Sequence, residues 1–575
     1  MVHGQDEAGE PPPRQSSPVQ QAQPRKETFS PMLVSIFNDV IGPVMRGPSS
    51  SHCAAALRIG RLARDLIGGT PETLLVEFDR AGSLPTTHDS QGSDMGLFGG
   101  LLGWEADDSR LPESVPALRA AGTEVRIETV DVGDAHPNTY RLTLTRGGHR
   151  HSLRAISSGG GMIEVVAIDE IPLSIHGDYH ETLFAIPVGD SATAAAGRNT
   201  AARLIAAIEA LAPGFEPDAV ALVEADHGLL VQVKTHAALP AAVREPLAAM
   251  PGVAAAASLA PVLPVRSRRG MSVPFSSAAN LLAVDAGRGI PLWKHAVAYE
   301  IARGGFTERE VIERMVQIVR LLKHSIASGI AGTEYADRVL PAQAPGFAAA
   351  LAAGRLVGDP LLNRIVLATT ALMEVKSSMG VIVAAPTAGA CAALPAAVIT
   401  VAESMQLDEE AMARALLAAG LIGVFICTPW SFAAEVGGCQ AEGGSAAAMA
   451  AAGIVTLAGG SLEQALTAAS LALQSMIGLI CDPVANRVEV PCLGKNVMAA
   501  ANALACATMA QAGFDEVIPF DEVVATAARV AKQMPRELRC TTLGGLSITP
   551  TSLAIEAKLT ARKAAACGAG TCGCG

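Results

Sequence analysis

The sequence predicts a multidomain protein of mixed α/β and all-α class: an N-terminal α/β domain, a smaller α/β module and a large C-terminal all-α domain. Three observations predict it. Short β-branched runs separated by turn residues fill the chain to about residue 175. Strand and helix patterns then alternate to about residue 264. From Ser276 onward long helical periodicity takes over and strand signals nearly vanish. The length of 575 residues is enough for such a division. Half of the residues are apolar but only 3% are aromatic, and there are 56 glycines. Small side chains and close helix contacts must therefore supply much of the core.

Residues 1–28 are rich in Pro, Gln and charge and read as a disordered tail. The N-terminal α/β domain is expected over 29–175. Pro31–Leu66 looks helical around a polar break. Leu75–Phe78, Val125–Val130 and Tyr140–Leu144 read as strands, and Ile163–Ala167 as another after the Gly159-Gly160-Gly161 turn. The module is expected over 176–265, with strands at Leu183–Val188, Ala219–Glu224, Leu229–Val233 and Val253–Leu259. Helices fall between them at Thr200–Leu211 and Leu239–Met250. The all-α domain is expected over 266–560. Its helical runs are Trp293–Ala302, Thr307–Gly329, Asp359–Ser378, Asp408–Ile426, Glu463–Ile480, Asn496–Gln511 and Asp521–Gln533, with a shorter one at Ala392–Val401. Residues 561–575 read as a flexible Cys/Gly-rich tail.

The net charge of −12 argues against nucleic acid and against an anionic membrane surface as partners. A mean hydropathy of +0.34 raises the question of a membrane span. Val381–Val401 is interrupted by Pro386 and Pro395, and Ala413–Pro429 carries Arg414 just inside its start. Both fit buried helices of a large core better than spans. The N-terminus shows no apolar run behind basic residues. An odd count of 11 cysteines without an export signal points to reduced thiols and a cytoplasmic location.

Cysteines concentrate between Cys391 and Cys540. Cys439, Cys481 and Cys492 stand out because each lies beside Gly or Pro at an element end, where backbone can wrap a metal group. Thiolates are soft ligands that suit iron–sulfur groups or zinc. The close C-x₂-C pairs of structural zinc sites are absent. Three cysteines plus an open iron is what a hydro-lyase needs; inert buried thiols are the alternative.

Several segments resemble the bacterial iron–sulfur L-serine dehydratases: Ile41-Gly42-Pro43 with Gly47-Pro48-Ser49-Ser50-Ser51-His52, Ala385-Pro386-Thr387-Ala388-Gly389, Gly437-Gly438-Cys439-Gln440-Ala441-Glu442, Cys481-Asp482-Pro483-Val484-Ala485 with Val490-Pro491-Cys492, and Gly544-Gly545-Leu546. Their order is that of the single-chain form, β-type part first and α-type part second. The resemblance implies an L-serine ammonia-lyase that makes pyruvate and ammonia. A [4Fe–4S] cluster on Cys439, Cys481 and Cys492 would act as Lewis acid, and His52 as base. A related lyase for cysteine or threonine, or a non-catalytic iron–sulfur protein, is the alternative. The expected partners are a small amino-acid substrate and a second copy of the chain in a homodimer. The module at 176–265 stands where some members carry an ACT regulatory module.

Ser49 and Ser51 are candidates to bind the substrate carboxylate or to cap a helix. Thr387 and Gly389 belong to an anion-binding nest or to a plain tight turn. Ser431 is a further substrate-binding candidate. Cys391 reads as a neighbour of the cluster, and Cys53, Cys427, Cys506 and Cys540 as core or local thiols. Cys567, Cys572 or Cys574 is the candidate fourth ligand in the resting state. Departures from the family pattern fall at Gln91, where His is usual, at Trp430 before Ser431, and at Ala331. Lys376 is the nearest candidate for a pyridoxal-phosphate lysine, but lacks a phosphate-binding loop.

Overall fold

The computed structural model describes residues 32–189, 191–211, 216–225 and 228–568, without the side chains of 191–192 and 563–568. The segment expected as an N-terminal tail lies outside the described residues.

The first sheet has six strands: β2 (Thr73–Asp79), β3 (Glu124–Val130), β4 (Thr139–Arg146), β5 (His149–Gly159), β6 (Met162–Ile168) and β7 (Ile171–Ile175). Their order is β3-β2-β4-β5-β6-β7, with only β2 and β3 parallel. Four of these strands match the expected runs. β5 and β7 are additional: β5 opens His149-Arg150-His151, a polar start that hides its alternation. Helices Ala55–Ile67 and Ser93–Leu101 cover one face and cross closely. A Cβ at Gly100 would lie 2.1 Å from the Leu57 carbonyl oxygen, and one at Gly96 would lie 2.0 Å from that of Cys53. Only glycine permits that approach.

The second sheet contains β8 (His180–Pro187), β9 (Ala219–Ala225), β10 (Gly228–Thr235) and β11 (Ala255–Leu259). Helix Ser191–Glu209 follows β8, and helix Ala241–Ala248 precedes β11. The antiparallel order β11-β8-β10-β9 with βαββαβ connectivity is the ferredoxin-like arrangement.

The remainder is helical. Ser445–Leu457 is buried from Ser445 to Val455 and packs against Ala393–Ser404, Glu409–Cys427, Leu462–Gln474 and Cys492–Gln511. Its Ala-rich sequence is apolar all round, so it shows no amphipathic period to betray it. The helix expected over Glu463–Ile480 stops at Gln474. The apolar helix Glu409–Cys427 is long enough to cross a membrane, but 78% of its most apolar window is buried within the protein. The last helix, Pro550–Gly568, continues past the expected boundary at 560 into the segment read as a flexible tail.

Two features bring the N-terminal segment to the helical core. Glu300 accepts the Ile36 N–H at 2.6 Å and the Ser35 hydroxyl at 3.1 Å. The short strand β1 (Val44–Met45) pairs with β12 (Ile382–Val383). The Gly42 N–H also donates to the Ala384 carbonyl at 2.9 Å. This ribbon lays the loop ending at His52 against the loop 385–391.

Candidate active site

His52 sits in one wide turn, Ser50–Ala54, and is fully buried. Its Nε2 lies 2.8 Å from the Thr87 hydroxyl, which itself donates to the Ser83 carbonyl at 2.8 Å. With its proton committed there, Thr87 can only accept from the ring. The neutral imidazole therefore carries its proton on Nε2 and its lone pair on Nδ1. Nδ1 accepts from the Ser49 hydroxyl at 2.9 Å and lies 3.6 Å from the Glu435 carboxyl. Burial, with a smaller push from His88, drives the His52 pKa down to about 3, so the ring is neutral at physiological pH. Burial also lifts Glu435 to about 7.

Ser49 is thus spent on His52 and makes no helix cap. Ser50 accepts the Ala388 N–H at 3.2 Å, which ties the two loops together. Ser51 is buried beside them. Thr387 donates to Glu442 at 2.6 Å and accepts the Ala390 N–H at 3.2 Å. Ala388 and Ala390 are satisfied in this way, and the loop turns tightly around Glu442. A Cβ at Gly389 would come 2.6 Å from the Glu442 carboxylate, which explains glycine there. Ser431 is committed elsewhere: it donates to the Ser158 carbonyl at 2.9 Å and accepts the Ala433 N–H at 3.0 Å. Trp430 packs over Gly437, where a Cβ would meet its ring at 2.8 Å.

Cys439, Glu442 and Cys481 turn one donor atom each into a common space, all within 4.8 Å of one another. Gly438 has φ +69 and no room for a side chain between Met534 and the Leu479 carbonyl, so the chain can turn tightly into Cys439. Hydrogen bonds to the Cys439 and Cys540 sulfurs, with burial, raise the Cys481 thiol well above the usual range. Cys492 opens the helix Cys492–Gln511. Burial, and then the nearby Cys439, raise its thiol too. Lys495, one turn along, lies 3.8 Å from the Cys439 sulfur and donates to Ile480 at 2.7 Å and Asp482 at 2.8 Å. Burial works against its charge, but Cys439 and Asp482 hold the ammonium above the ordinary lysine range.

The loop 481–492 is fixed from several sides. Asp482 accepts the Leu546 N–H at 3.0 Å, and Gly545, at φ +60, would clash with Asp482 if it carried a side chain. The Gly544-Gly545-Leu546 motif is therefore part of the cysteine frame. Arg487 pairs with Asp337 at 2.7 Å and donates to the Ser90 carbonyl at 2.8 Å. The buried Lys376 donates to the Val488 carbonyl, so it braces this loop.

This geometry can be set against known proteins. Residues 287–547 match the family model described as serine dehydratase alpha chain. The chain is 35% identical over 285 residues to the probable L-serine dehydratase, alpha chain, of Bacillus subtilis (strain 168), covering 50% of this chain and 95% of that protein. It is 35% identical over 287 residues to the L-serine dehydratase, alpha chain, of Peptoniphilus asaccharolyticus, covering 49% of this chain and 97% of that protein. The chain belongs to the serine dehydratase family. Its N-terminal part is similar to the probable beta chain of Bacillus subtilis, 39% identical over 145 residues, 25% of this chain and 64% of that one. The two family parts thus follow one another in a single chain, and their junction is where His52 meets the loop 385–391.

Of the expected site residues, the fold brings His52, Ser49, Thr387 and Gly389 into one seam with Glu442, and Cys439 together with Cys481. Cys391 is buried in an apolar cluster with Cys53 and Cys492, and burial lifts its thiol to about 11. Cys506 lies in the main core. Cys540, read from sequence as a core or local thiol, is buried in a small cluster with Cys439 and Cys481, and its N–H donates to the Cys481 carbonyl at 3.1 Å. Cys572, Cys574 and the Cys567 side chain lie outside the described residues. Sequence reasoning also missed Thr87, Glu435, Lys495 and Asn496. The buried Asn496 donates to the Gly389 and Cys492 carbonyls, both at 2.8 Å, and accepts the Ala392 and Ala393 N–H groups at 3.2 and 3.1 Å. Glu435, Glu442 and Lys495 lie within or near the cysteine motifs, and their polarity in an apolar stretch was the available signal. Thr87 had none.

Proposed function

We propose that the chain is an L-serine ammonia-lyase that forms pyruvate and ammonia, with a [4Fe–4S] cluster held by Cys439, Cys481 and Cys492. The observation that carries this reading is the convergence of Cys439, Cys481 and Glu442 within 4.8 Å, in a family whose reaction needs a Lewis acid. The donor set suits the group: soft sulfurs at element ends, shielded from water, with the Lys495 ammonium beside them to offset negative charge. When bound, the cluster supplies the Lewis acid that takes the substrate hydroxyl as leaving group.

The residues of this chain do the rest. His52 takes the Cα proton at Nδ1. Thr87 holds the ring in the tautomer that leaves this nitrogen free, and Ser49 yields its hydrogen bond when substrate enters. The imidazolium that forms is stabilised by Glu435, 3.6 Å from Nδ1. Burial keeps water from competing for that proton. The enamine product becomes an imine and hydrolyses without further help. Ser49 and Ser51 lie beside His52 and, in this reading, meet the substrate carboxylate. The ferredoxin-like connectivity of residues 180–259 supports an ACT-like regulatory role for that module. A cytoplasmic homodimer belongs to the same reading.

Protein purified without oxygen tests it. The expected result is broad visible iron–sulfur absorbance together with pyruvate formation from L-serine. Faster formation of sulfide from cysteine, or of 2-oxobutanoate from threonine, would assign a different substrate to the same chemistry. A colourless protein with full activity would sink the cluster.

A further inference from the structure

The helix Ala55–Ile67 starts at the turn that holds His52, and its other end opens on a cleft of about 410 Å³. Arg64 and Asp65 line the cleft from the last turn of the helix, and Gly68-Gly69 from the turn after it. Arg146 reaches it from the end of β4, and Ser258 from β11. The cleft thus lies between the first sheet domain and the ferredoxin-like module. Positive charge gathers here, although the chain has a net charge of −12. Neither Arg64 nor Arg146 makes a side-chain hydrogen bond or an ion pair among the described residues. The Arg64 Nε is buried and has no acceptor among them, which is rare for a buried donor in a native fold. Arg146 rests on the turn: a Cβ at Gly69, at φ +141, would lie 3.1 Å from its guanidinium carbon, so glycine leaves room for it. A third guanidinium, that of Arg244 in the module, donates to the Ser258 hydroxyl at 3.2 Å. That hydroxyl keeps its own proton to donate.

One cation at the end of a helix is expected, because it offsets the negative end of the dipole. Arg64 meets that need alone. Arg146 and Arg244 come from other elements. Asp65, the one carboxylate in the lining, is spent on the Ala260 N–H at 2.9 Å. Three guanidiniums against one carboxylate leave an excess of two positive charges. We propose that this cleft binds a small dianion, a phosphate ester or a dicarboxylate. Guanidinium groups pair with either one through parallel N–H···O bonds. Bound there, the dianion gives the Arg64 Nε its acceptor. It also ties the end of the helix to β11, beside the hydrogen bond from Ala260 to Asp65. This site is separate from the one around His52 and does not depend on the cluster.

The test is calorimetric titration of the full chain, purified without oxygen, with inorganic phosphate and with succinate at constant ionic strength. At least one of them is expected to fill one site per chain with a Kd of about 1 mM or tighter. The tighter of the two names the class, phosphate ester or dicarboxylate. Arg146→Gln and Arg64→Gln are each expected to weaken that binding about tenfold or more. Arg146 is exposed, so its variant tests the site even where Arg64→Gln disturbs the fold. Turnover without added anion is expected to stay at the wild-type level in Arg146→Gln. Saturation by neither anion overturns the proposal, as does equal affinity in the wild type and in Arg146→Gln. Equally tight binding of L-alanine, lost in Arg146→Gln, overturns it as well, because a zwitterion without net charge would then fill the cleft.

Discussion

Thr87 fixes which nitrogen of His52 is basic. The hydroxyl lies 2.8 Å from Nε2 while its own proton goes to the Ser83 carbonyl at 2.8 Å. The ring proton must then sit on Nε2, and the Nδ1 lone pair faces Ser49, whose hydroxyl it accepts, and Glu435. The two residues come from separate elements, and neither alone sets the tautomer.

Replacing Thr87 with Val keeps the volume but leaves the buried Nε2–H without an acceptor. That costs about 1–3 kcal/mol and lets the other tautomer compete. The expected outcome is a kcat lower by roughly tenfold or more with KM little changed, since about 1.4 kcal/mol is tenfold in rate. Thr87→Ser should retain most of the activity. In His52→Ala, exchange of the substrate Cα proton with deuterium should stop while cluster absorbance stays. Exchange at the wild-type rate would remove His52 as the base.

Asn496 leads to a second prediction. Its side chain joins the Gly389 loop, the first turn of the helix Ala393–Ser404 and the Cys492 carbonyl. Asn496→Ala strands the Ala392 and Ala393 N–H groups in a dry core, which costs about 2–4 kcal/mol. Thermal unfolding should move down clearly, and iron per chain should fall because Cys492 loses its anchor. Unchanged iron binding would show that Cys492 needs no such support.

Most strands were legible because β-branched residues alternate between turn residues, as in Thr73–Asp79 and Gly228–Thr235. The exceptions have physical reasons. β5 opens on His149-Arg150-His151, and Ser445–Leu457 is apolar on every side, so neither shows a period. The cysteine motifs were legible because Gly and Pro flank them and because they resemble a known family. The place of Cys540 was not, since it comes from a backbone bridge to Cys481 that spacing along the chain cannot reveal. The capping reading of Ser49 missed for the same reason: its partner is a side chain, His52, and not the helix backbone.

Buried acids give a pH prediction away from the site. Burial lifts Glu181 to about 7, although Lys234 lies 3.3 Å away and Gln232 donates to it at 3.0 Å. In the unfolded chain a glutamate titrates near ~4.3. Between these values the folded protein binds more protons, so stability must fall as pH rises through that window, by on the order of 3 kcal/mol for this group. The unfolding midpoint in denaturant should drop from pH 4.5 to pH 7 and then level. Glu181→Gln should make that slope shallower. An identical slope in the variant would mean that Glu181 is ionised in the folded protein.

The last prediction concerns Gly389. Its Cα faces the Glu442 carboxylate so closely that a Cβ would lie 2.6 Å from the nearer oxygen. Glu442 also accepts from Thr387 at 2.6 Å and lies 3.9 Å from the Cys439 sulfur. Gly389→Ala must therefore push Glu442 away from Thr387, toward the space where the cysteines converge. The backbone there is not left-handed, so the alanine adds a steric effect and no dihedral strain. The expected result is a loss of kcat/KM of about tenfold or more, corresponding to about 1.4 kcal/mol or more of transition-state stabilisation. Iron per chain should hold, because all the sulfur ligands remain. Thr387→Val removes the same contact without the added methyl group and should lower kcat/KM in the same direction but by less. If Gly389→Ala has wild-type kinetics, the Thr387–Glu442 contact has no part in the reaction.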